Sequence, residues 1–253
     1  MVLGLIVPTS CSSAARGPEV PVTAGGPPRV RLATVRAHSQ QFDRDDPLRP
    51  AGSQGEGIAA TYLLGHLQRS GYEVYLDPVP VSNLVSSTNV VALPAAGEDP
   101  SMVVVAPYDT APGTPDTSPA LGLFLEVARA LKAGGEGAAV EFVALGAERA
   151  EMSGGRLGSR RLAQFMRDRE QHPVVVSLEE VSLMGQGAAV VRGDASQDIV
   201  AAARAAGVTV EAEDGRTPTI EVFGAAGFRS VALGGPAGSA GQVLLEYLVG
   251  AGP

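Results

Sequence analysis

Residues 102–109 read MVVVAPYD, an apolar run that ends in proline, tyrosine and aspartate. No charged residue interrupts the run before Asp109, so it predicts a strand buried on both faces, as in a parallel sheet covered by helices. Two similar segments follow, AVEFVALG over 139–146 and VVVSL over 174–178. Segments with helical spacing separate them. This alternation predicts an α/β fold with a mostly parallel central sheet and helices on both faces.

The same pattern extends outward into one predicted domain over 30–253. Residues 72–76 predict an edge strand, because Pro78 and Pro80 follow closely and proline is tolerated at sheet edges. The other predicted strands cover 89–93, 188–191, 208–210 and 230–233, and the predicted helices cover 30–42, 56–70, 118–132, 160–170, 197–205 and 242–249.

Composition excludes several classes of protein. The chain has 253 residues, of which 45% are hydrophobic and 18% charged, and this is too apolar for a disordered chain. The net charge of -8 and the scattered basic residues argue against nucleic-acid binding. Cys11 is the single cysteine, which excludes an intrachain disulfide and a cysteine-based zinc site.

Residues 1–29 allow two interpretations. The apolar run MVLGLIV, then Cys11 and a Gly/Pro-rich tether over 17–28, predict an export leader, and hence a secreted protein or a lipoprotein anchored through Cys11. The run is shorter than a usual leader core and no basic residue precedes it, so the frayed terminus of a cytoplasmic protein is the alternative. No stretch reaches the roughly 20 apolar residues of a transmembrane helix.

Acidic residues follow all three predicted buried strands. Asp109 follows the first strand, with Asp116 in the loop beyond it, Glu148 follows the second, and Glu179 and Glu180 follow the third. The carboxyl ends of parallel strands meet at one edge, where open α/β sheets bind their ligands. Carboxylates clustered there are protonated, paired with cations or bound to metal, unless each one points into solvent. The sequence leaves these arrangements open.

Short motifs occur in a characteristic order along the chain. They are LRPAGSQG over 48–55, STNVV over 87–91, VVVAPYDT over 103–110, FVALGAE over 142–148 and GRLGS over 155–159. The series, which covers residues 30–233, resembles the co-catalytic di-zinc aminopeptidases, a group that includes leucyl aminopeptidases, glutamate carboxypeptidase and the transferrin-receptor ectodomain. The resemblance implies their fold, with a site where the buried strands end.

The resemblance also implies a degenerate zinc site. The family's ligands are a His, a bridging Asp, the second Glu of a pair, a further Asp and a final His. The matching positions here are Pro107, Asp116, Arg149, Glu179 and Ile220. Asp116 and Glu179 keep oxygen donors, and we expect them to be vestigial metal positions that hold no metal ion. Glu148 matches the catalytic base, and Asp109 matches a residue that orients the first His.

Zinc prefers nitrogen and sulfur donors and usually takes three or four protein ligands, so we expect no cofactor here, although the family binds zinc. The three histidines, His38, His66 and His172, are predicted to lie on helix faces or at the surface, away from the site.

Arg149 places a permanent cation where the family has a metal ligand. Its guanidinium group is therefore predicted to pair with Asp116, Glu148 or Glu179 in place of the metal. The resulting hypothesis is a catalytically impaired aminopeptidase-like protein that binds a peptide, a small molecule or a protein partner. One alternative is an active hydrolase of the same family with a divalent metal, Mg²⁺, Mn²⁺ or Ca²⁺, at a carboxylate-rich site. Another is a structural envelope protein tethered through Cys11.

Overall fold

The computed structural model describes residues 27–45, 47–94, 98–135, 139–150 and 154–250. The helices in this part of the chain are α1 (Leu32–Asp45), α2 (Gln54–Arg69), α3 (Ser118–Gly134), α4 (Leu157–Asp168), α5 (Ser196–Ala206), α6 (Pro218–Ala225) and α7 (Ala237–Gly250). The strands are β1 (Val74–Pro80), β2 (Ser86–Ala92), β3 (Met102–Pro107), β4 (Val140–Leu145), β5 (Val174–Ser182), β6 (Ala189–Gly193), β7 (Val210–Ala212) and β8 (Ser230–Pro236). The predicted leader and Cys11 lie outside the described residues.

The strands form one sheet in the order β1-β2-β4-β3-β5-β8-β6-β7. The four central strands, β4, β3, β5 and β8, run parallel to one another. Antiparallel pairing joins β2 to β4 on one side and β6 to β8 on the other. The predicted α/β class with a parallel central sheet is therefore confirmed, and the antiparallel flanks are an addition.

Helices cover both faces of the sheet. Helices α1, α2, α3, α5 and α7 pack on the face that carries Val104 and Phe142, whereas α4 and α6 pack on the face that carries Val103 and Val143. Every residue of β3 and β4 is buried. Burial from two sides is the reason why these strands lack a polar face.

The edge-strand prediction is confirmed, because β1 is the outermost strand beside β2. The strand is longer than predicted and includes Pro78 and Pro80. An edge strand accommodates proline because the backbone N–H groups on its open side need no strand partner.

Two segments near the carboxyl end were predicted wrongly as irregular. Residues 218–225 form α6, in which Pro218 occupies the first turn, a position where its missing N–H costs little. Helix α7 begins at Ala237, five residues before the predicted start at 242. Gly241, inside α7, allows this helix to pack closely against Leu123 and Val30: an added Cβ would lie 2.8 Å from Leu123 Cδ1 and from Val30 Cγ2. Within the described residues, no helix is both long and apolar enough to cross a bilayer.

Candidate functional site

Asp109 connects the turns that follow β3 and β4. Its side chain is fully buried, and its Oδ1 and Oδ2 accept hydrogen bonds from the backbone N–H groups of Glu148 (3.0 Å) and Arg149 (2.7 Å). Burial raises the pKa of Asp109, and the two backbone hydrogen bonds oppose that rise. Both oxygens are therefore committed to the main chain, where they hold the two turns together.

Glu148 lies at the end of β4 with its carboxyl group fully buried. Its Oε1 accepts a hydrogen bond from the backbone N–H of Ser159 at 2.6 Å, in the first turn of α4, and its Oε2 accepts one from the Thr219 hydroxyl at 3.3 Å. Arg156 Nη1 lies 4.0 Å from Oε2. Burial raises the pKa of Glu148 to about 7, against the opposing effect of the Ser159 hydrogen bonds and Arg156.

A close approach of two backbones places α4 against this carboxyl group. A Cβ added to Gly158 would lie 2.2 Å from the Gly146 carbonyl oxygen and 2.7 Å from Asn89 Oδ1. Only glycine lets the first turn of α4 come this near to the end of β4. The GRLGS motif thus delivers the Ser159 N–H group to Glu148.

Arg149, the next residue, is half-buried. Its Nη1 donates a hydrogen bond to the Pro115 carbonyl oxygen at 3.0 Å. Burial lowers the pKa of Arg149, and the nearby Asp109, Glu179 and Glu148 act in the opposite direction. The predicted direct ion pairs with acidic residues are not formed within the described residues, so the prediction of direct pairing is wrong. The guanidinium is attracted to Glu179 and Glu148 over a longer distance.

Glu179 and Glu180 diverge at a bulge in β5. Glu179 is half-buried, and its Oε1 accepts hydrogen bonds from the hydroxyls of Ser177 and Thr217, both at 2.7 Å. The register shifts between Leu178 and Val181, and Glu180 has a φ of 54°. The Glu180 side chain is 59% exposed and pairs with Arg192 at 2.7 Å. Glu180, predicted as part of the cluster, therefore lies outside it.

Asp116 is exposed and serves the start of α3. Its Oδ1 accepts a hydrogen bond from the backbone N–H of Ser118 at 2.8 Å. This carboxylate satisfies one of the N–H groups that a helix leaves unpaired at its first turn. A structural role thus accounts for its position in the loop.

The remaining residues matched to family ligands have no donor for a metal. Pro107 is buried at the end of β3, opposite Leu145, and Ile220 is fully buried in α6. Among the described residues, no three His, Cys, Asp or Glu side chains come together in a way that could hold a metal ion. Together with the cationic Arg149, this donor set does not fit a zinc site.

The histidines lie away from the group of polar residues where β3, β4 and β5 end, which we call the crevice, and two of them are on helices as predicted. His38 on α1 and His66 on α2 are buried, with ring centroids 4.6 Å apart, and His38 Nδ1 lies 2.7 Å from the Tyr62 hydroxyl. Burial lowers their pKa values, to about 4 for His38 and about 3 for His66. His172 is exposed, as predicted, just before the amino end of β5.

Sequence reasoning missed four polar residues that complete the crevice: Arg156, Ser159, Thr217 and Thr219. The hydroxyls of Thr217 and Thr219 flank Pro218 at the start of α6. A threonine followed by proline is typical of a helix start, and this signal could have located them.

No family model and no curated protein matches this sequence. Solved structures do match its fold. A leucine aminopeptidase precursor from Bacteroides thetaiotaomicron is 15% identical, with a TM-score of 0.77 over 90% of this chain and 99% of that one. A glutaminyl cyclase from Fimbriiglobus ruber is 17% identical, with a TM-score of 0.74 over 87% and 95%.

A Zn-dependent exopeptidase from Parabacteroides distasonis is 14% identical, with a TM-score of 0.71 over 88% of this chain and 99% of that one. These similarities establish a fold in common with zinc-dependent exopeptidases and glutaminyl cyclases. The chain spans nearly the whole length of these structures.

Proposed function

We propose that this protein is a ligand-binding module, built on the fold of zinc exopeptidases and glutaminyl cyclases, that does not hydrolyse peptides through a zinc centre. Its ligand, a peptide, a small molecule or a segment of a protein partner, binds in the crevice where β3, β4 and β5 end. The observation that carries this proposal is the half-buried Arg149 guanidinium, held by the Pro115 carbonyl beside the acidic residues.

The electrostatics of Arg149 oppose a metal at this position. Two like unit charges at about 4 Å repel by about 4 kcal/mol at an effective dielectric of about 20, and a dication doubles that cost. Every 1.4 kcal/mol corresponds to about a tenfold change in affinity. A guanidinium in the place of an anionic ligand therefore removes both a donor and several decades of metal affinity.

The hydrogen bonds of Glu148 and Glu179 support a structural role for these two carboxylates. Glu148 has both oxygens engaged, by Ser159 and Thr219, and its carboxyl group has no exposed surface from which to accept a proton from a substrate. Glu179 accepts two hydroxyl hydrogen bonds on the same oxygen. A metal at Glu148 would therefore compete with the donors that both of its oxygens now hold.

Metal content and turnover test this proposal together. The purified protein is treated with a chelator, reconstituted separately with Zn²⁺, Mn²⁺, Mg²⁺ and Ca²⁺, and measured by mass spectrometry of bound metal and by aminopeptidase and glutaminyl cyclase assays. We expect substoichiometric metal and no turnover above buffer. About one zinc per chain with turnover would overturn the proposal. Turnover with Mg²⁺, Mn²⁺ or Ca²⁺ that is lost in Glu148→Gln would establish the carboxylate-site hydrolase instead.

We also propose that residues 1–29 export the protein, with Cys11 as the acylated residue. The support is the order of an apolar run, a cysteine and a Gly/Pro-rich tether. Metabolic labelling with a fatty-acid probe in the native host tests this proposal, and Cys11→Ala is the matched control. Labelling that persists in Cys11→Ala, or a full-length chain found in the cytoplasm, would contradict it.

A further inference from the structure

Two arginines beside the acidic residues, Arg149 and Arg156, are each held by a hydrogen bond to a backbone carbonyl. Arg149 Nη1 donates to the Pro115 carbonyl at 3.0 Å, and Arg156 Nη1 donates to the Glu148 carbonyl at 2.9 Å. Both acceptors are neutral backbone groups. The guanidinium groups are thus held in place without being neutralised by a hydrogen-bonded carboxylate.

Most donors of these two groups are unused. A guanidinium has five N–H groups, and in the described part of the chain the Nε and Nη2 atoms of Arg149 and Arg156 have no hydrogen-bond partner. The nearest carboxylate oxygen to Arg156, Glu148 Oε2, is 4.0 Å from Nη1, which is beyond hydrogen-bond length. Among the described residues, none therefore occupies the Nε–Nη2 edge of either guanidinium group, the edge that suits a bidentate acceptor.

The acidic residues of the crevice show the opposite pattern. Asp109 accepts from two backbone N–H groups, Glu148 from Ser159 and Thr219, and Glu179 from two hydroxyls. Asp116 caps α3. The acidic side chains accept hydrogen bonds from donors inside the protein, whereas no carboxylate oxygen of a described residue is hydrogen-bonded to either guanidinium group; the 4.0 Å ion pair of Arg156 with Glu148 is the nearest approach to Arg156.

We propose that Arg149 and Arg156 together bind the carboxylate group of a peptide ligand in the crevice. The assignment rests on the proposed function as a binding module and names the chemical group which that module recognises. A carboxylate matches the planar guanidinium fork through two parallel hydrogen bonds. Binding would also relieve the unfavourable proximity of the two cations, which contributes, after burial, to the lowered pKa of Arg149.

Charge argues against a polyanion as the ligand. The chain carries a net charge of -8, and Glu179 lies close enough to Arg149 to affect its pKa. A nucleic acid or a polyphosphate would be repelled by this field, whereas a single carboxylate needs only the two local cations.

Calorimetric titration of the intact protein tests the assignment with three probes: acetyl-triglycine with a free carboxyl terminus, the same peptide as its carboxyl-terminal amide, and inorganic phosphate. We expect the acid to bind at least about tenfold more tightly than the amide, which cannot form a bidentate charge-assisted pair. We also expect it to bind at least about tenfold more tightly than phosphate, whose additional negative charge is repelled by Glu179 and by the net charge of -8. We expect Arg149→Gln and Arg156→Gln each to weaken binding of the acid about tenfold.

Arg160→Gln is the matched control. Arg160 is an exposed arginine in the first turn of α4, the helix that Arg156 immediately precedes, and it forms no ion pair with a described residue. It should change affinity less than about twofold. Arg149→Lys retains the charge and loses the fork, so partial binding is expected. Circular dichroism and thermal unfolding verify that each variant is folded.

Equal binding of acid and amide, phosphate binding as tight as the acid, unchanged affinity in folded Arg149→Gln, or no binding of the acid up to about 10 mM would each overturn the assignment. None of these results would change the conclusion from the metal-content and turnover measurements. Stoichiometric zinc with turnover would instead reject the binding-module proposal, whether or not Arg149 affects peptide affinity. The two failures are therefore distinguishable.

Discussion

Glu148 provides the sharpest test of the crevice as a metal-free structural network. The substitution Glu148→Gln preserves the size of the side chain and removes its charge. The amide oxygen can still accept the Ser159 N–H, and the amide nitrogen can donate to the Thr219 hydroxyl oxygen. What changes is the cost of holding an ionised carboxylate in a fully buried position.

The magnitude follows from proton linkage. Glu148 has an ordinary pKa of 4.5 and a folded-state pKa of about 7, raised chiefly by burial. Because the folded chain keeps the Glu148 proton over a range in which the unfolded chain has lost it, the contribution of Glu148 to stability is greatest below pH 4.5 and falls as the pH rises to about 7. The difference corresponds to about 3 kcal/mol.

We therefore expect Glu148→Gln to raise the free energy of unfolding by about 1–3 kcal/mol near pH 8, after allowance for the lost attraction to Arg156, and to change it little near pH 4. Urea unfolding followed by circular dichroism at both pH values measures this difference. Destabilisation at both pH values, or an effect of equal size at each, would refute the reasoning.

Glu141→Gln is the matched control for that experiment. Glu141 lies near the other end of β4, is 4% exposed, and has a pKa raised by burial to about 7. Glu141→Gln should likewise raise the free energy of unfolding near pH 8 and change it little near pH 4. Because it lies far along the strand from Arg149, it should leave binding of acetyl-triglycine unchanged. Glu148→Gln alone should alter both properties.

Three further predictions concern the surroundings of the crevice. Arg149→Ala removes the hydrogen bond to Pro115 and the attraction to Glu179 and Glu148; we expect a loss of about 1–2 kcal/mol in urea unfolding, and unchanged stability across pH would contradict its role. Gly158→Ala should lower the free energy of unfolding by about 2–4 kcal/mol in the same assay, because the new Cβ would lie 2.2 Å from the Gly146 oxygen. Unchanged stability would mean that α4 can shift away from β4 without cost. His66→Phe should reduce the loss of stability that occurs as the pH falls below 6.5. Burial lowers the His66 pKa to about 3, so between these pH values only the unfolded chain binds the proton. If the stability of the variant falls as steeply in acid as that of the unmodified protein, His66 is not the cause.

The sequence predicted the parts of the fold that depend on local pattern. Largely apolar runs, broken in β4 by Glu141, located β3, β4 and the first half of β5, and two prolines marked β1 as an edge. The same runs located Asp109 and Glu148, since both follow directly where a strand ends. Helix α6 was missed because eight residues with one proline and several apolar side chains carry little periodicity.

The partners of the site residues could not be predicted, because they come from distant parts of the chain. Glu148 is hydrogen-bonded to Ser159, 11 positions away, and to Thr219, 71 positions away. The burial of His38 and His66 likewise depends on α1 packing beside α2, through the contact with Tyr62. Spacing within one helix does not show which neighbour will cover a histidine.

Asp109 and Glu148 show why acidic residues at the ends of these strands are weak evidence for catalysis. In this structure Asp109 holds together the turns after β3 and β4, and Glu148 fixes the first turn of α4 to the end of the sheet. Replacing either residue with a side chain that cannot accept a hydrogen bond would leave buried N–H groups without acceptors, at a cost of about 1–3 kcal/mol for each group. Hydrogen-bond acceptors at both positions therefore stabilise the fold even when no reaction uses them, whereas the buried side chains of Pro107 and Ile220 contribute by packing alone.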